Sequence, residues 1–268
     1  MFNLKSNHHY QLATALLVAF LFSFAGQAQA KGGGVFTDLK EALAKKDEVL
    51  VLRLSNQNIR KLPESIGSFQ NMHTLELQNN QLSSLPESFT DNLNLKKLII
   101  GGNKFTELPE CLCEFGELAI IDASDNQITS IPECLSTLNT VTELRLDKNQ
   151  LSTLPESFGD LANLKILRMS DNAFSTLPGA ISKLPKLREL YLDNNKFSEI
   201  PEAVIGAKNL KKLSLWNNQI AMLPESMGGM KKLTYLRLIG NPLVNDKKER
   251  KRHKKIFGKD RLGIILYE

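Results

Sequence analysis

Few residues of this chain could perform covalent or acid–base chemistry, and their positions keep them apart. Beyond residue 30, histidine occurs only as His73 and His253, and cysteine only as Cys111, Cys113 and Cys134. A catalytic thiol or hydroxyl needs a general base within reach, usually a histidine. The sequence contains no G-x-S-x-G, H-E-x-x-H, phosphate-loop or protein-kinase motif. We therefore expect no catalysis, no cofactor and no metal site.

A repeat of 23 residues dominates the sequence. Eight copies follow the pattern L-x-x-L-x-L-x-x-N-x-L-x-x-L-P, where L stands for leucine or another apolar residue, and the ninth departs from it after Leu243. Since one copy cannot bury its own apolar face, the copies must stack and share one core. Gln57 occupies the asparagine position of the first copy, and the later copies have asparagine there: Asn80, Asn103, Asn126, Asn149, Asn172, Asn195, Asn218 and Asn241.

The spacing within one copy predicts its local structure. Apolar residues two positions apart, such as Leu75 and Leu77, indicate a strand with one face toward a core. Where the chain turns inward after the strand, the carboxamide of Asn80 can satisfy backbone groups that lack sheet partners. The following Leu85-Pro86 pair indicates an extended segment before a short helical turn.

These motifs resemble the leucine-rich-repeat family, in the L-x-x-L-P-x-x-I subtype found in bacterial repeat proteins and in animal Scribble-like and Ras-binding scaffolds. The resemblance implies an α/β solenoid of about nine repeats, with a curved parallel sheet on its concave face and a cap at each end. We expect the repeats to occupy residues 49–243, preceded by a linker and N-terminal cap helix over 31–48. Residues 244–268 are expected to form a C-terminal cap with a basic helix and a final strand.

The two caps have their own signals. Phe36 to Lys46 is predicted to form an amphipathic helix, with Phe36, Leu39 and Leu43 facing inward, that covers the first strand. At the other end, a polar helix is expected from about Asp246 to Phe257. The apolar segment Ile264 to Tyr267 would then cover the last strand edge, which would otherwise invite aggregation.

The first thirty residues have the composition of a secretory signal peptide. Leu12 to Ala25 is an uninterrupted run of 14 residues, nearly all apolar, and an Ala-x-Ala end follows at Ala28 to Ala30. A helix of that length spans about 21 Å, which is less than the roughly 30 Å of a bilayer core. We expect cleavage after Ala30, no transmembrane segment in the mature chain, and export to the periplasm, cell surface or medium. The chain lacks the cysteine-rich caps of animal extracellular family members, which favours a bacterial source.

Two of the cysteines occupy equivalent positions in neighbouring repeats. Cys111 and Cys134 are one period apart, and stacked strands lie about 4.8 Å from each other, within the Cα separation that disulfides accept. A disulfide between Cys111 and Cys134 is therefore one hypothesis. The alternative is two small, semi-buried residues, because the same position elsewhere holds serine or alanine. Metal binding by three cysteines without a fourth ligand is not expected.

Outward-facing strand positions of the later repeats carry the residue types that dominate protein interfaces. Beyond the signal peptide the chain has one tryptophan and three tyrosines, and Trp216, Tyr191 and Tyr235 all fall at these positions. Ile239 follows Trp216 by one period, so the two side chains should touch. The alternative to a binding role is that these aromatic residues merely cover the sheet near the cap. The predicted partner-binding residues are Arg145, Arg168, Tyr191, Trp216, Tyr235, Arg237 and Ile239.

The net charge of +5 comes from one terminal run. Residues 247–255 contain seven Lys and Arg residues and one Glu, whereas the rest of the chain beyond the signal peptide is slightly acidic. The run fits the solvated face of a cap helix. It also fits contact with an anionic polymer or lipid. A nuclear-localisation signal would conflict with the signal peptide, and nucleic acid is not an expected partner.

Together these features predict an exported module that binds a protein partner through the concave face and catalyses no reaction. A binder of carbohydrate or envelope polymer is an alternative, because aromatic faces also stack on sugar rings. An intracellular signalling scaffold is another, if residues 1–30 are retained. A purely structural solenoid would have no ligand-sensitive residue on the concave face.

Overall fold

Each copy of the repeat forms one short strand and one short helical turn. The computed structural model describes residues 33–92, 94–258 and 265–266, and the predicted signal peptide lies outside them. From Val35 onward the chain forms one unit. Its eleven strands pair in chain order within one sheet, and every pair is parallel. The predicted α/β solenoid of about nine repeats is confirmed.

The strands are three residues long except at the two ends of the sheet. They are β1 (Val35–Phe36), β2 (Val51–Arg53), β3 (Thr74–Glu76), β4 (Lys97–Ile99), β5 (Ile120–Asp122), β6 (Glu143–Arg145), β7 (Ile166–Arg168), β8 (Glu189–Tyr191), β9 (Lys212–Ser214), β10 (Tyr235–Arg237) and β11 (Ile265–Leu266). We number the repeat units one to nine from β2 to β10.

Short helices and 3-10 turns form the opposite side of each unit. The α-helices are α1 (Leu39–Ala44), α2 (Glu202–Gly206) and α3 (Lys247–Phe257). Among the described residues, none of the helices is long and apolar enough to span a bilayer. The 3-10 turns are Lys46–Glu48, Glu64–Ser68, Glu87–Asp91, Glu110–Glu114, Glu133–Thr137, Glu156–Asp160, Gly179–Lys183, Glu225–Gly229 and Pro242–Val244.

The core lies between the sheet and the helical turns. The inward strand residues, such as Leu75, Leu77 and Leu190, have no solvent exposure. Apolar residues of the turns, such as Ile66 and Phe158, pack against them from the other side. Full burial of one such side chain contributes about 1.5–3 kcal/mol, so the stack is held together chiefly by the hydrophobic effect.

The asparagine column links each unit to the preceding one. The Nδ2 group of Asn195 donates to the Leu192 carbonyl of its own unit (3.1 Å) and to the Met169 carbonyl of the unit before it (3.0 Å). Its Oδ1 accepts from the Phe174 N–H (3.1 Å). Asn80, Asn103, Asn126, Asn149, Asn172, Asn218 and Asn241 repeat this pattern.

The N-terminal cap differs from the expected single helix. Phe36 belongs to β1 and pairs with Leu52 of β2, so the sheet continues one strand beyond the first repeat. The helix α1 starts only after Asp38, whose side chain accepts from the Glu41 N–H (2.7 Å). Gln57 uses its longer side chain to donate to the Thr37 carbonyl of this cap (2.8 Å), which gives a reason for glutamine in the asparagine position.

At the C-terminus, α3 and β11 follow the last repeat. Asp246 caps α3 by accepting from the Lys248 N–H (2.7 Å), and His253 and Phe257 face the core. Strand β11 pairs with β10 through Leu236 and Ile265. The expected ends of the final strand, residues 264 and 267, lie outside the described residues.

The hypothesis of a Cys111–Cys134 disulfide is wrong, because Cys113 is the residue bonded to Cys134, with the two Cα atoms 5.8 Å apart. Equivalent residues are not the nearest neighbours on the helical side of the stack. The fourth residue of one turn faces the second residue of the next, as Gly159 and Ala180 show: a Cβ on Gly159 would lie 2.7 Å from the Ala180 carbonyl oxygen. Cys113 and Cys134 occupy these two positions, and Cys111 stays a free, half-buried thiol whose pKa burial raises to about 11.

Candidate protein-binding face

Five of the predicted binding residues lie on strands β6, β7, β8 and β10, and Trp216 and Ile239 lie two residues beyond β9 and β10. Strand pairing aligns Arg145 with Arg168, Arg168 with Tyr191, Tyr191 with Ser214, and Ser214 with Arg237. All seven predicted residues are partly exposed. We call this set the aromatic–arginine face: Arg145, Arg168, Tyr191, Trp216, Tyr235, Arg237 and Ile239.

Arg168 and Tyr191 form the first of two stacked pairs. The guanidinium carbon of Arg168 lies 4.7 Å from the centre of the Tyr191 ring, within the range of a cation–π interaction. Asp147 of the preceding unit accepts from Nε of Arg168 (2.8 Å). The Tyr191 hydroxyl donates to Oε2 of Glu189 (2.8 Å), and burial together with this bond raises the pKa of Tyr191.

Arg237 and Trp216 form the second stacked pair. The guanidinium carbon of Arg237 lies 4.7 Å from the centre of the Trp216 ring. Its Nη1 lies 3.9 Å from Oδ2 of Asp193. The neighbouring strands are joined here by a hydrogen bond from the Asn217 N–H to the Ile239 carbonyl (2.8 Å). Contact between the Trp216 and Ile239 side chains stays a prediction.

Arg145 lies at the edge of the face and is held differently. Its Nε lies 2.6 Å from Oε1 of Glu143, and its Nη1 lies 3.5 Å from Oδ2 of Asp122. The cation–π contacts of the face involve Arg168 and Arg237 instead. Each of the three arginines therefore has a carboxylate partner, at 2.6 Å for Arg145, 2.8 Å for Arg168 and 3.9 Å for Arg237.

Two aspartates beneath the arginines escaped the sequence prediction. Asp193 is mostly buried and accepts from the Trp216 N–H (2.7 Å) and the Ser214 hydroxyl. Asp147 accepts from the Ser170 N–H (2.8 Å) in the same way. Burial raises the pKa of Asp193, while these donors and Arg237 oppose that rise. Asp147 and Asp193 are two periods apart in one outward column, so the repeat predicts that both face outward but not that they lie beneath arginines.

The lysines of the basic run 247–255 form the exposed side of α3. Glu249 and His253 are buried, and Lys255 lies 3.8 Å from Glu225 of unit eight. Five lysines fall within one third of the helix circumference and are exposed: Lys247, Lys248, Lys251, Lys254 and Lys255. Both the solvated-face interpretation and contact with an anionic ligand stay open for this run.

Two open depressions of the described surface lie away from the aromatic–arginine face. One, of about 400 Å³, lies between Leu50, His73 and Lys96, and the other, of about 200 Å³, between Ser84, Phe105 and Cys111. Neither depression includes a residue of the aromatic–arginine face.

Family comparisons match three stretches of the chain. Models described as leucine rich repeat match residues 71–92 and 139–197, and a model for two copies of the repeat matches residues 208–248. A comparison with curated protein sequences gave no match.

Solved structures of several repeat proteins are similar in fold. One is the ectodomain of the plant receptor kinase GASSHO1/SCHENGEN3 from Arabidopsis thaliana, solved with CASPARIAN STRIP INTEGRITY FACTOR 2, at 34% identity and a TM-score of 0.63. The similarity covers 75% of this chain but only a quarter of that one. InlJ from Listeria monocytogenes has 20% identity and a TM-score of 0.62, with 74% of this chain and 41% of InlJ covered.

Internalin C2 from Listeria monocytogenes is of a size more like that of this chain. It has 25% identity and a TM-score of 0.64, with 73% of this chain and 83% of that one covered. The repeat domain of FLRT2, solved in an octameric complex with Latrophilin 3 and Unc5D, has 24% identity and a TM-score of 0.65. That similarity covers 77% of this chain and 65% of the other. At this level of identity it shows the fold alone.

Proposed function

Since the chain is a leucine-rich-repeat protein, we propose that it is an exported, non-catalytic module that binds another protein on its aromatic–arginine face. The expected occupant is a folded domain or segment that covers Tyr191, Trp216 and the neighbouring arginines. Export is proposed from the composition of residues 1–30.

The two arginine–aromatic stacks carry this proposal. Trp, Tyr and Arg are enriched among residues that dominate binding energy, because they offer a large contact area for little lost conformational freedom. In this face a hydrogen bond to Asp147 restrains Arg168 over its ring, and the Asp193 carboxylate attracts Arg237 from 3.9 Å. Restraint before binding lowers the entropy lost on association, which favours a specific partner.

Two of the similar structures are complexes, and the plant ectodomain, at 34% identity, is the one that supports a binding role. The plant ectodomain was solved with CASPARIAN STRIP INTEGRITY FACTOR 2, and the FLRT2 repeat domain with Latrophilin 3 and Unc5D. Those particular partners are not transferred to this chain.

Carbohydrate binding through the same rings is less well supported. A sugar that stacks on an aromatic side chain needs a free ring face. Here a guanidinium group lies over one face of Tyr191 and one face of Trp216. A sugar on those faces would have to displace arginines that are held by carboxylates, whereas a protein partner can contact the arginines and the ring edges together.

The proposal is tested by capture from the envelope fraction of the source organism, followed by affinity measurement with the partner identified. We expect Trp216→Ala and Arg237→Ala to weaken binding by at least about 2 kcal/mol, or roughly thirtyfold. Met222→Ala is the matched control, because Met222 is an exposed apolar side chain outside the face. Unchanged affinity for Trp216→Ala would refute the assignment of this face.

Export has a separate test. Sequencing of the protein isolated from cells should find Lys31 at the N-terminus. An intact Met1 on protein recovered from the cytoplasm would favour the intracellular-scaffold alternative instead.

A further inference from the structure

The six residues that precede each strand differ sharply in charge between the early and the late repeats. Before strands β8, β9 and β10 these flank segments are residues 183–188, 206–211 and 229–234. They contain no Asp or Glu and seven cations: Lys183, Lys186, Arg188, Lys208, Lys211, Lys231 and Lys232. The five corresponding segments before β3 to β7 contain two cations against four carboxylates: Lys96 and Lys165, with Asp91, Glu114, Glu117 and Asp160.

Backbone hydrogen bonds place the cations of successive flank segments in rows. The Arg188 N–H donates to the Lys165 carbonyl (2.9 Å), and the Lys211 N–H donates to the Arg188 carbonyl (2.8 Å). Equivalent residues of adjacent units therefore lie at about the spacing of neighbouring strands, roughly 4.8 Å. Lys165, Arg188 and Lys211 form one row that runs along the stack.

A second row alternates lysine with asparagine. The Nζ group of Lys186 donates to Oδ1 of Asn163, and that of Lys232 donates to Oδ1 of Asn209, both at 2.5 Å. Asn209 is itself fixed by donation from its Nδ2 to the Pro185 carbonyl (2.7 Å). The amides thus hold two ammonium groups in place without neutralising them.

The charge of these segments is not compensated within the described residues. All seven cations are exposed, and the ion pairs of the described chain involve other lysines and arginines. Lys212, the next residue toward the sheet face, does pair with Glu189 (2.9 Å). Like charges at such spacing repel one another, so an anionic ligand would relieve an unfavourable arrangement.

We propose that the flank of units seven to nine binds a linear anionic polysaccharide, one that carries sulfate, carboxylate or phosphate groups along its chain. Six of the seven cations are lysines, which act as hydrated point charges, whereas buried protein interfaces favour arginine and are depleted in lysine. The rows match a chain that runs along the stack. The three segments contain no aromatic residue on which the bases of a nucleic acid could stack.

The test compares two variants of the full chain that lose equal charge. The flank variant replaces Lys186, Arg188 and Lys211 with glutamine, and the control variant replaces Lys247, Lys251 and Lys254 of α3 with glutamine. Binding to a heparin oligosaccharide is measured by calorimetry at several salt concentrations. We expect the flank variant to bind at least about tenfold more weakly, with a smaller salt dependence, and the control to change less than about threefold.

Comparable losses in the two variants would overturn the proposal, since binding would then follow net charge alone. A greater loss in the control would also overturn it and would assign binding to α3. Equal or tighter binding of single-stranded DNA or of phosphatidylglycerol vesicles, with the same loss in the flank variant, would refute the polysaccharide class.

A charge-conserving variant, Lys186→Arg combined with Lys211→Arg, should keep the affinity for heparin. It separates the effect of charge loss from that of misfolding. The inference is independent of the protein-binding face, because Trp216→Ala should leave heparin binding unchanged.

Discussion

Units one to four and units five to nine share an interior but present different surfaces. On the sheet face of the early units, Glu76 lies between Arg53 and Lys97, 3.3 Å from each, and both of these cations are partly exposed. On the late units, arginines rest on aromatic rings. The stacking of the repeats constrains the inward positions of every unit and leaves the outward positions free. A function is therefore best sought where outward residues change type along the stack.

The largest effect should come from the interior, and it should be equal in the two halves. Asn103 and Asn195 each accept one backbone N–H and donate to carbonyls of two units. Replacing either with alanine leaves buried backbone groups without partners, so we expect a loss of about 3 kcal/mol in the free energy of unfolding. Urea denaturation of both variants measures the loss.

Asn94→Ala is the control for these substitutions, because Asn94 is exposed and donates only to the Gln70 carbonyl. The losses in unfolding free energy caused by Asn103→Ala and Asn195→Ala should agree to within about 1.5 kcal/mol. A larger difference would exceed the cost of one buried polar group without a partner, and the two halves would then not be equivalent.

The disulfide should stabilise the early half alone. Cys113 and Cys134 close a loop with a sequence separation of 21 residues. Chain-entropy arguments assign a loop of this size about 3 kcal/mol. Cys113→Ser should lose that amount under oxidising conditions, whereas Cys111→Ser should unfold like the unmodified chain. Urea unfolding with and without a reductant distinguishes them, and a loss confined to Cys111→Ser would restore the pairing first predicted from the sequence.

Asn92 is a local defect of the early half, and its removal should stabilise the chain. Both amide atoms of Asn92 are buried and have no hydrogen-bond partner among the described residues. Other units have Phe69, Phe115 or Leu138 in this position. We expect Asn92→Leu to raise the free energy of unfolding by about 1 kcal/mol, because a buried polar group without a partner is costly. Asn94→Leu on the surface should show no such gain in thermal denaturation.

The repeat period accounts for what the sequence could predict. It identifies equivalent residues, so the buried leucine columns and the asparagine hydrogen bonds followed from it. It does not give the offset between neighbouring helical turns, which is why Cys134 bonds to Cys113 and not to its equivalent, Cys111. The period also does not show which outward carboxylates contact the arginines. Those contacts, such as that of Asp193 with Arg237, depend on how far each side chain extends across the neighbouring strands.

The C-terminal end of the late half should be the part of the stack most sensitive to acid. His253 in α3 is fully buried, and burial lowers its pKa below the ordinary 6.5, although Glu249 opposes that shift and Arg252 and Arg250 add to it. The folded cap therefore holds a neutral imidazole. When the pH falls below 6.5, the unfolded cap takes up a proton that the folded cap resists, so its stability falls.

Hydrogen exchange should accordingly show faster exchange of the α3 amides at pH 5.5 than at pH 7.5, after correction for the intrinsic rates, with little change in units two to eight. His253→Gln should remove the acid dependence, whereas His73→Gln in unit two should keep it. A uniform response along the stack would contradict this assignment. It would mean that the cap opens only together with the repeats. The apolar contacts of Phe257 and Ile265 with the core would then hold α3 and β11 in place. Protonation of His253 would be too weak to release the cap alone.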